Sequence, residues 1–243
     1  MTAPPLQGLF ITGTDTGVGK TLVTAALARC LVNRGRRVGV MKPVETGYSN
    51  ADDQVPDSSR LQAAARTSDP IEMVSPHRFL APLAPQSAAE AEGSQISFES
   101  IVEAYRSLTH DREFVLVEGV GGLLVPLREG QDVRDLVVRL QLPVVVVGRA
   151  ALGGVNHARL TVEALASARL RIVAMVLNRS LQPGTALEEQ QERSTVELLQ
   201  SSLGIPVLGP IPFNPRASNA WESAVTATSS DPTITALADL IAS

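Results

Sequence analysis

The stretch LFITGTDTGVGKT, residues 9–21, decides the fold of this 243-residue chain. It opens with a short apolar run typical of a buried strand and ends in Gly19-Lys20-Thr21, as a phosphate-binding loop does. The common pattern G-x-x-x-x-G-K-[ST] requires a glycine where this chain has Thr14, and the glycine comes one residue early, at Gly13. A helical pattern follows over residues 21–35. We interpret strand, loop and helix as a phosphate-binding unit, in preference to an ordinary glycine-rich turn.

The loop residues have the chemistry that a nucleoside triphosphate requires. Gly17 and Gly19 let the backbone bend so that successive N–H groups point at phosphate oxygens, and the following helix adds its positive end. Lys20 brings a cation to the β- and γ-phosphates, and the Thr21 hydroxyl suits Mg²⁺.

Five further apolar runs alternate with helical patterns along the chain. Strands are predicted at 37–44, 114–119, 143–148, 172–178 and 205–212. Helices are predicted near 97–109, 133–140, 155–168, 186–202 and 232–242. Two polar stretches are expected to be loops, 45–60 and 213–231. This alternation predicts an α/β fold of the P-loop NTPase type, a doubly wound, mostly parallel sheet flanked by helices.

Composition limits the class of protein. The chain has no internal repeat or long Gly/Ser linker, so we expect one domain over residues 1–243, with residues 1–7 disordered. The formal net charge of −4 gives no general attraction to nucleic acid or to an anionic membrane. Without a signal peptide or an apolar stretch of about 20 residues, we expect a soluble cytoplasmic protein. The only cysteine, Cys30, lies in an apolar helical pattern and is expected to be buried.

Several polar residues lie at or near the ends of the predicted strands. Ligands of open parallel sheets bind beyond the carboxyl ends of the strands, so we expect Lys42, Glu118 and Asn178 at one edge with the loop. We interpret Glu118 as a carboxylate near Mg²⁺ and Lys42 as a second cation beside transferring phosphate. Taken alone, each is more typical of a solvated strand end.

Three other features leave their alternatives open. Gly153 and Gly154 start a helix whose bare N–H groups suit an anion, although close packing explains them equally well. Asp57 lies in a polar stretch with other acidic residues, where a solvated position is the default. His157 has no metal-ligand spacing with the other two histidines and is given no ligand role.

The motifs TGTDTGVGKT, KPVETG, VEGVGG, GRAALGGVNHA and LNR occur in the order seen in the dethiobiotin synthetase family. The resemblance runs from about residue 9 to about residue 215, and the combination of TDTGVGKT with KPVETG is specific. The early glycine resembles this family's own form of the loop. The resemblance implies an ATP- and Mg²⁺-dependent cyclo-ligase of biotin synthesis, which joins 7,8-diaminononanoate and CO₂ through a carbamate and a carbamic–phosphoric anhydride to give dethiobiotin.

The resemblance also implies roles for single residues. Lys42 and Lys20 are the catalytic cations, and the Mg²⁺ ligands are Thr21, Asp57 and Glu118. Nucleotide-binding residues are Thr16, Gly17, Val18, Gly19, Lys20, Thr21, Leu22, Asp57, Glu118, Gly119, Val120, Gly121, Asn178, Arg179, Pro212, Phe213 and Asn214. Substrate-binding residues are Thr46, Gly153, Gly154, Val155 and Asn156. In this family's homodimer, the helix start at Gly153 and Gly154 binds the substrate carboxylate from the opposite subunit.

Competing classes are weaker on particular residues. Partitioning and cell-division ATPases carry an extra loop lysine where this chain has Asp15, and the last helical pattern, 232–242, has no Lys or Arg for a membrane anchor. Cobyrinate amide synthases need a cysteine nucleophile in a second domain, whereas Cys30 is in the first helix. A nucleotide kinase is a remote third. We therefore expect diaminononanoate, CO₂ and ATP as partners, with neither nucleic acid nor membrane.

Overall fold

A computed structural model describes residues 7–48, 55–182 and 184–242. The strands, in chain order, are β1 (Gly8–Gly13), β2 (Val38–Met41), β3 (Val44–Thr46), β4 (His77–Phe79), β5 (Phe114–Glu118), β6 (Pro126–Arg128), β7 (Gln131–Asp132), β8 (Val144–Arg149), β9 (Ile172–Asn178) and β10 (Val207–Ile211). The helices are α1 (Lys20–Asn33), α2 (Asp57–Ala65), α3 (Ile71–Val74), α4 (Pro85–Ala91), α5 (Phe98–Asp111), α6 (Val133–Leu140), α7 (Gly154–Ser167), α8 (Ala186–Ser202), α9 (Trp221–Ser229) and α10 (Pro232–Ala242), with a 3₁₀ turn at Pro215–Ala217.

Six strands form a parallel sheet in the order β10-β9-β8-β1-β5-β2, which confirms the predicted doubly wound α/β fold. β1 lies in the middle, with Ile11 opposite Glu118 of β5 and Gly13 opposite Val147 of β8. The loop that follows β1 therefore emerges between the carboxyl ends of two neighbouring strands. This is the edge at which open parallel sheets bind their ligands.

Alternating residues of the strands enter two cores, because successive side chains of a strand point to opposite faces. Leu9 and Ile11 pack in a core completed by α1, α2, α9 and α10. Phe10 points the other way, into a core completed by helices α4 to α8. Cys30 is buried in the first of these cores, as expected.

Three predictions about elements were wrong. The strand expected at 37–44 breaks at Lys42 and Pro43, and β3 pairs with β4 in a separate two-stranded sheet. Proline has no N–H to donate to a ladder, which favours the break there. The loop expected at 45–60 begins in β3 and ends in α2. The loop expected at 213–231 contains the 3₁₀ turn and α9, whose Ala224 and Val225 are fully buried.

Disorder was expected over residues 1–7, and residues 1–6 lie outside the described residues. The carbonyl of Gln7 accepts a hydrogen bond of 3.0 Å from the N–H of Val115. Among the helices of the described ranges, none is both long enough and apolar enough to span a membrane.

Candidate functional site

The loop between β1 and α1 takes backbone conformations that favour glycine. Gly17 has a φ of 71° and Gly19 a φ of 98°, both in the left-handed region that L side chains rarely adopt. A Cβ at Gly17 would meet open space, whereas one at Gly19 would lie 2.2 Å from Nδ2 of Asn178. Glycine is therefore required at position 19 both for its backbone conformation and because a side chain would collide with Asn178.

Lys20 begins α1, and its side chain turns back along the loop. Its Nζ donates a hydrogen bond of 2.9 Å to the carbonyl oxygen of Asp15. Burial lowers the pKa of Lys20 to about 8, and the nearby charge of Lys42 lowers it further against the pull of the carboxylates. The loop thus holds a buried ammonium beside the backbone that phosphate would approach.

A cluster of four residues, which we call the acid–lysine cluster, lies beside the loop: Thr21, Lys42, Asp57 and Glu118, of which Lys42 and Glu118 are buried. Lys42 Nζ donates to Glu118 Oε1 at 2.5 Å and to Asp57 Oδ2 at 3.1 Å. The Thr21 hydroxyl donates to the same Glu118 oxygen at 2.9 Å. Strand ends, a helix start and the loop therefore bring one cation and two carboxylates together.

The charges in the acid–lysine cluster shift one another. Burial alone would lower the pKa of Lys42, but the Glu118 and Asp57 carboxylates raise it above its usual value. Burial would raise the pKa of Asp57, but the nearby Lys42 ammonium favours the ionised carboxylate, and the pKa of Asp57 lies below its usual value. Burial raises the pKa of Glu118, although Lys42 opposes the shift. Lys42 and Asp57 are accordingly a charged pair at neutral pH.

The donor atoms of this cluster fit Mg²⁺. Thr21, Asp57 and Glu118 present oxygens, the ligands that Mg²⁺ prefers, and Oε2 of Glu118 is buried with no hydrogen-bond partner among the described residues. In the described ranges, no three His, Cys, Asp or Glu side chains come together as a self-sufficient metal site. The cluster instead matches sites in which Mg²⁺ takes one or two carboxylates and completes its shell with substrate phosphates and water.

The position of Asp57 in the cluster depends on a contact of the next residue, Ser58, which was not predicted from the sequence. Asp57 is the first residue of α2, and Ser58 donates from N at 3.2 Å and from Oγ at 2.6 Å to the buried carboxylate of Glu45. Glu45 lies on β3. One carboxylate thus fixes the start of α2 to the strand that carries Thr46.

Two strand ends also hold the loop. Arg149, at the end of β8, donates to the carbonyl of Thr16 at 3.0 Å. Asn178, at the end of β9, donates from Nδ2 to the carbonyl of Val18 at 3.0 Å. Arg149 was not predicted as a site residue, and its position at the end of an apolar strand is the signal that could have identified it.

These residues open into one cleft of about 540 Å³. The residues assigned to the site from the sequence that line this cleft are Thr16, Gly17, Gly19, Lys20, Thr21, Leu22, Lys42, Thr46, Asp57, Glu118, Val120, Gly121, Asn178, Arg179, Phe213 and Asn214. The cleft therefore joins the loop, the acid–lysine cluster and the segment after β10 in one continuous space.

The chain resembles known proteins over most of its length. A family model described as an AAA domain matches residues 7–220. An ATP-dependent dethiobiotin synthetase of Anaeromyxobacter sp. (strain Fw109-5) is 51% identical over 175 residues, 72% of this chain and 78% of the relative. The enzyme of the same description from Bacillus subtilis (strain 168) is 36% identical, over 90% of this chain and 92% of the relative.

The chain belongs to the ATP-dependent dethiobiotin synthetase family. This membership confirms the family named from the sequence motifs and, with it, the prediction of an ATP-dependent enzyme. Solved structures show the fold alone. The cell-division protein MinD of Aquifex aeolicus aligns with a TM-score of 0.58 at 17% identity, over 97% of this chain and 95% of that one. MinD of Pyrococcus furiosus gives 0.57 at 18% identity, covering 97% of each chain.

Some residues assigned from the sequence are not among those that line the cleft of this dethiobiotin synthetase family member. Val18, Gly119 and Pro212 do not line it, and a Cβ at Gly119 would lie 2.9 Å from the Phe10 ring. Arg179 lines the cleft but pairs in bidentate fashion with Glu192 of α8, so its guanidinium is already engaged.

The predicted residues of the α7 start lie in a different place. Gly153, Val155 and Asn156 line a groove of about 760 Å³ between α7 and α8, whereas Gly154 is buried and does not line it. Its apolar residues include Leu152, which is 78% exposed, and Leu160, which is 57% exposed. Within one subunit, these residues do not share the cleft with Lys42 and Thr46.

Proposed function

We propose that this family member catalyses the ATP- and Mg²⁺-dependent carboxylation and ring closure of 7,8-diaminononanoate with CO₂ to dethiobiotin. The observation that carries the proposal is the cleft, in which the buried Lys42 and its two carboxylates lie beside a glycine loop with its own lysine. The described lining residues include no cysteine or histidine. Such a site suits a reaction in which the substrates attack one another while the protein positions them.

The proposed reaction has three steps. One amine of the substrate adds to CO₂ and loses a proton, which gives a carbamate. A carbamate oxygen then attacks the γ-phosphorus of ATP, the bond to the bridging oxygen breaks, and ADP leaves with a carbamic–phosphoric anhydride formed. The second amine attacks the carbonyl carbon, the cyclic urea closes, and phosphate leaves.

The residues of the cleft supply the charge that these steps need. Lys20 and the backbone N–H groups of residues 17–22 bind the β- and γ-phosphates. Lys42 stabilises the negative charge where carbamate and γ-phosphate meet, because its ammonium is preorganised by two carboxylates. Thr46 contacts the diamine, and the segment containing Phe213 and Asn214 covers the base.

The proposed ligands of Mg²⁺ are Thr21, Asp57 and Glu118. When bound, the ion would neutralise part of the negative charge of the triphosphate. The unpartnered Oε2 of Glu118 supports this assignment. The matching experiment is Glu118→Gln, which keeps the shape of the side chain and removes its charge. We expect activity to require far more Mg²⁺ than the wild type. Wild-type activity across a Mg²⁺ titration would remove Glu118 from the metal site.

The α7–α8 groove supports a homodimer with the substrate site at the interface. Exposed leucines beside the positive start of α7 suit a partner surface together with a carboxylate. We therefore propose that Gly153, Gly154, Val155 and Asn156 bind the substrate carboxylate presented by the cleft of the partner subunit. The proposed compartment is the cytoplasm, because the reaction consumes ATP.

The deciding experiment supplies the protein with diaminononanoate, bicarbonate, Mg²⁺ and ATP and searches for dethiobiotin by mass. We expect dethiobiotin and ADP in equal amounts, and no product when any one reactant is omitted. ATP hydrolysis stimulated by DNA or lipid, with no dethiobiotin, would instead assign the chain to the switch ATPases that share its fold.

A further inference from the structure

One aromatic side chain of the cleft has no role in the function described so far. Trp221 begins α9, shortly after the 3₁₀ turn, and lines the cleft together with Phe213, Asn214 and Ala217. It is the only tryptophan of the chain. Trp221 lies within residues 213–231, which the sequence pattern predicts to be a loop, and no sequence motif marks it as a site residue.

Trp221 is held by a charged partner. The guanidinium carbon of Arg60 lies 4.6 Å from the centroid of the Trp221 ring, within the range of a cation–π contact. Arg60 comes from α2, one turn after Asp57, and its Nη1 lies 4.0 Å from Asp57 Oδ1. The ring is therefore fixed from the same helix that brings Asp57 to the acid–lysine cluster.

Trp221 is half-buried and packs against the first core, but this packing does not explain its contact with Arg60. Trp221 and Arg60 line the nucleotide cleft and also a second cavity of about 450 Å³, which Ser59, Ala63 and Glu222 help to form. The pair thus forms a partition between two open spaces. The indole N–H is buried and has no hydrogen-bond partner among the described residues, although a buried indole usually finds one. A satisfied polar contact therefore does not explain the position of the ring either.

The cleft is lined by residues of two chemical kinds. The loop, Lys20 and the acid–lysine cluster provide charge, which suits the phosphates. The segment after β10 provides Phe213 and Trp221, and flat aromatic faces suit a nucleobase. The third aromatic residue of the lining, Tyr48, follows the strand that carries Thr46, and its ring is already covered by the Arg78 guanidinium.

We propose that Trp221, held in place by Arg60, is the aromatic wall of the subsite for the base of the nucleotide. This inference rests on the proposed function, since it takes the cleft to be the ATP site. Stacking uses the π-face that all bases share, so Trp221 contributes affinity for any nucleoside triphosphate and none for a triphosphate without a base.

The test compares wild type, Trp221→Ala and Trp221→Phe by calorimetry, with Mg·ATP and with Mg²⁺ and inorganic tripolyphosphate as the base-free probe. We expect Trp221→Ala to weaken ATP binding about tenfold, within the range found for single base–aromatic stacks, and to leave tripolyphosphate binding unchanged. Trp221→Phe is expected to retain most of the affinity. Since Trp221 is the only tryptophan, its fluorescence in the wild type should respond to ATP and not to tripolyphosphate.

The outcomes are separable. Equal ATP affinity in all three proteins would overturn the role of Trp221. An equal loss for ATP and tripolyphosphate would also overturn it, because the ring would then act through Arg60 and Asp57 on the phosphate end. If the wild type bound tripolyphosphate but gained nothing from the base of ATP, the base subsite itself would be wrong. Failure of the wild type to bind either probe would count against the proposed function and not against Trp221 alone.

Discussion

The ammonium of Lys42 lies 2.5 Å from Oε1 of Glu118, and both side chains are almost completely buried. A second carboxylate, Asp57, accepts from the same nitrogen at 3.1 Å. An ammonium has three donors, and contacts with the described residues engage two of them, which leaves the third for an anion in the cleft. The proposed metal ligands Asp57 and Glu118 thus also orient Lys42, the proposed catalytic cation.

Lys42→Met is expected to lower turnover by about 10²–10³ while the protein still binds Mg·ATP, because one preorganised cation typically contributes that factor. Lys20 and the loop N–H groups remain to hold the nucleotide. Calorimetry and product formation should therefore separate. Removing one partner of a buried ion pair leaves a charge uncompensated, so the variant is also expected to be less stable without Mg²⁺. Parallel losses of ATP affinity and turnover would make Lys42 a ground-state phosphate ligand.

Asn156→Asp is expected to raise the KM for diaminononanoate several-fold with ATP affinity unchanged, since a carboxylate in the first turn of α7 would repel that of the substrate. Asn156 is exposed, and an acidic residue suits a helix start, so folding is preserved. Gly154→Asp, the obvious alternative, is unsuitable because its Cβ would lie 2.4 Å from the Arg149 carbonyl oxygen. Asn156→Gln is the neutral control, and an unchanged KM in Asn156→Asp would exclude the anion site.

ATP affinity is expected to fall as the pH rises above about 8. In the free protein, burial and the charge of Lys42 lower the pKa of Lys20 to about 8. Bound triphosphate would raise this pKa, so at a pH between the free and bound values the protein takes up a proton when ATP binds. Calorimetry at pH 9 in buffers of different ionisation enthalpy measures that uptake. Lys20→Arg, which stays charged, should lose the dependence. Identical pH profiles in the two proteins would show that Lys20 does not titrate here.

Glu45→Ala is expected to lower the free energy of unfolding by roughly 1–3 kcal/mol, the cost of leaving buried donors unsatisfied at Ser58. It should also raise the Mg²⁺ concentration needed for activity, because Asp57 adjoins Ser58. Glu45→Gln keeps an acceptor and should lie close to the wild type. Denaturant unfolding and a Mg²⁺ titration measure the two effects. A loss of stability with an unchanged Mg²⁺ requirement would make Glu45 purely structural.

Much of the fold was predictable because the six central strands are nearly continuous aliphatic runs. β5 and β8 are buried along almost their whole length, and such runs are recognisable without knowledge of their neighbours. Glu118 and Asn178 could be placed at one edge for the same reason, since their runs end where the strands end, whereas the run predicted at 37–44 continued past Lys42 and the end of β2.

The missed elements depend on partners far away in the chain. α2 has the sequence DSSRLQAAA and α9 has WESAVTATS, and neither shows a strong apolar period. Both helices are stabilised by packing against α1, which small residues such as Ala64 and Ala224 allow to be close. Glu45 could not be recognised as an anchor either, because its partner Ser58 is brought to it only by this tertiary arrangement.

Asn178 Nδ2 would lie 2.2 Å from any Cβ placed on residue 19. The two positions are separated by 159 residues in the chain, yet they constitute one mutational unit. Any side chain at position 19 displaces the amide, and the carbonyl of Val18 then loses the donor that holds it. A library of single substitutions at either position therefore misses the combinations in which both residues change together. A redesign of this loop has to vary residue 178, at the end of β9, in the same step.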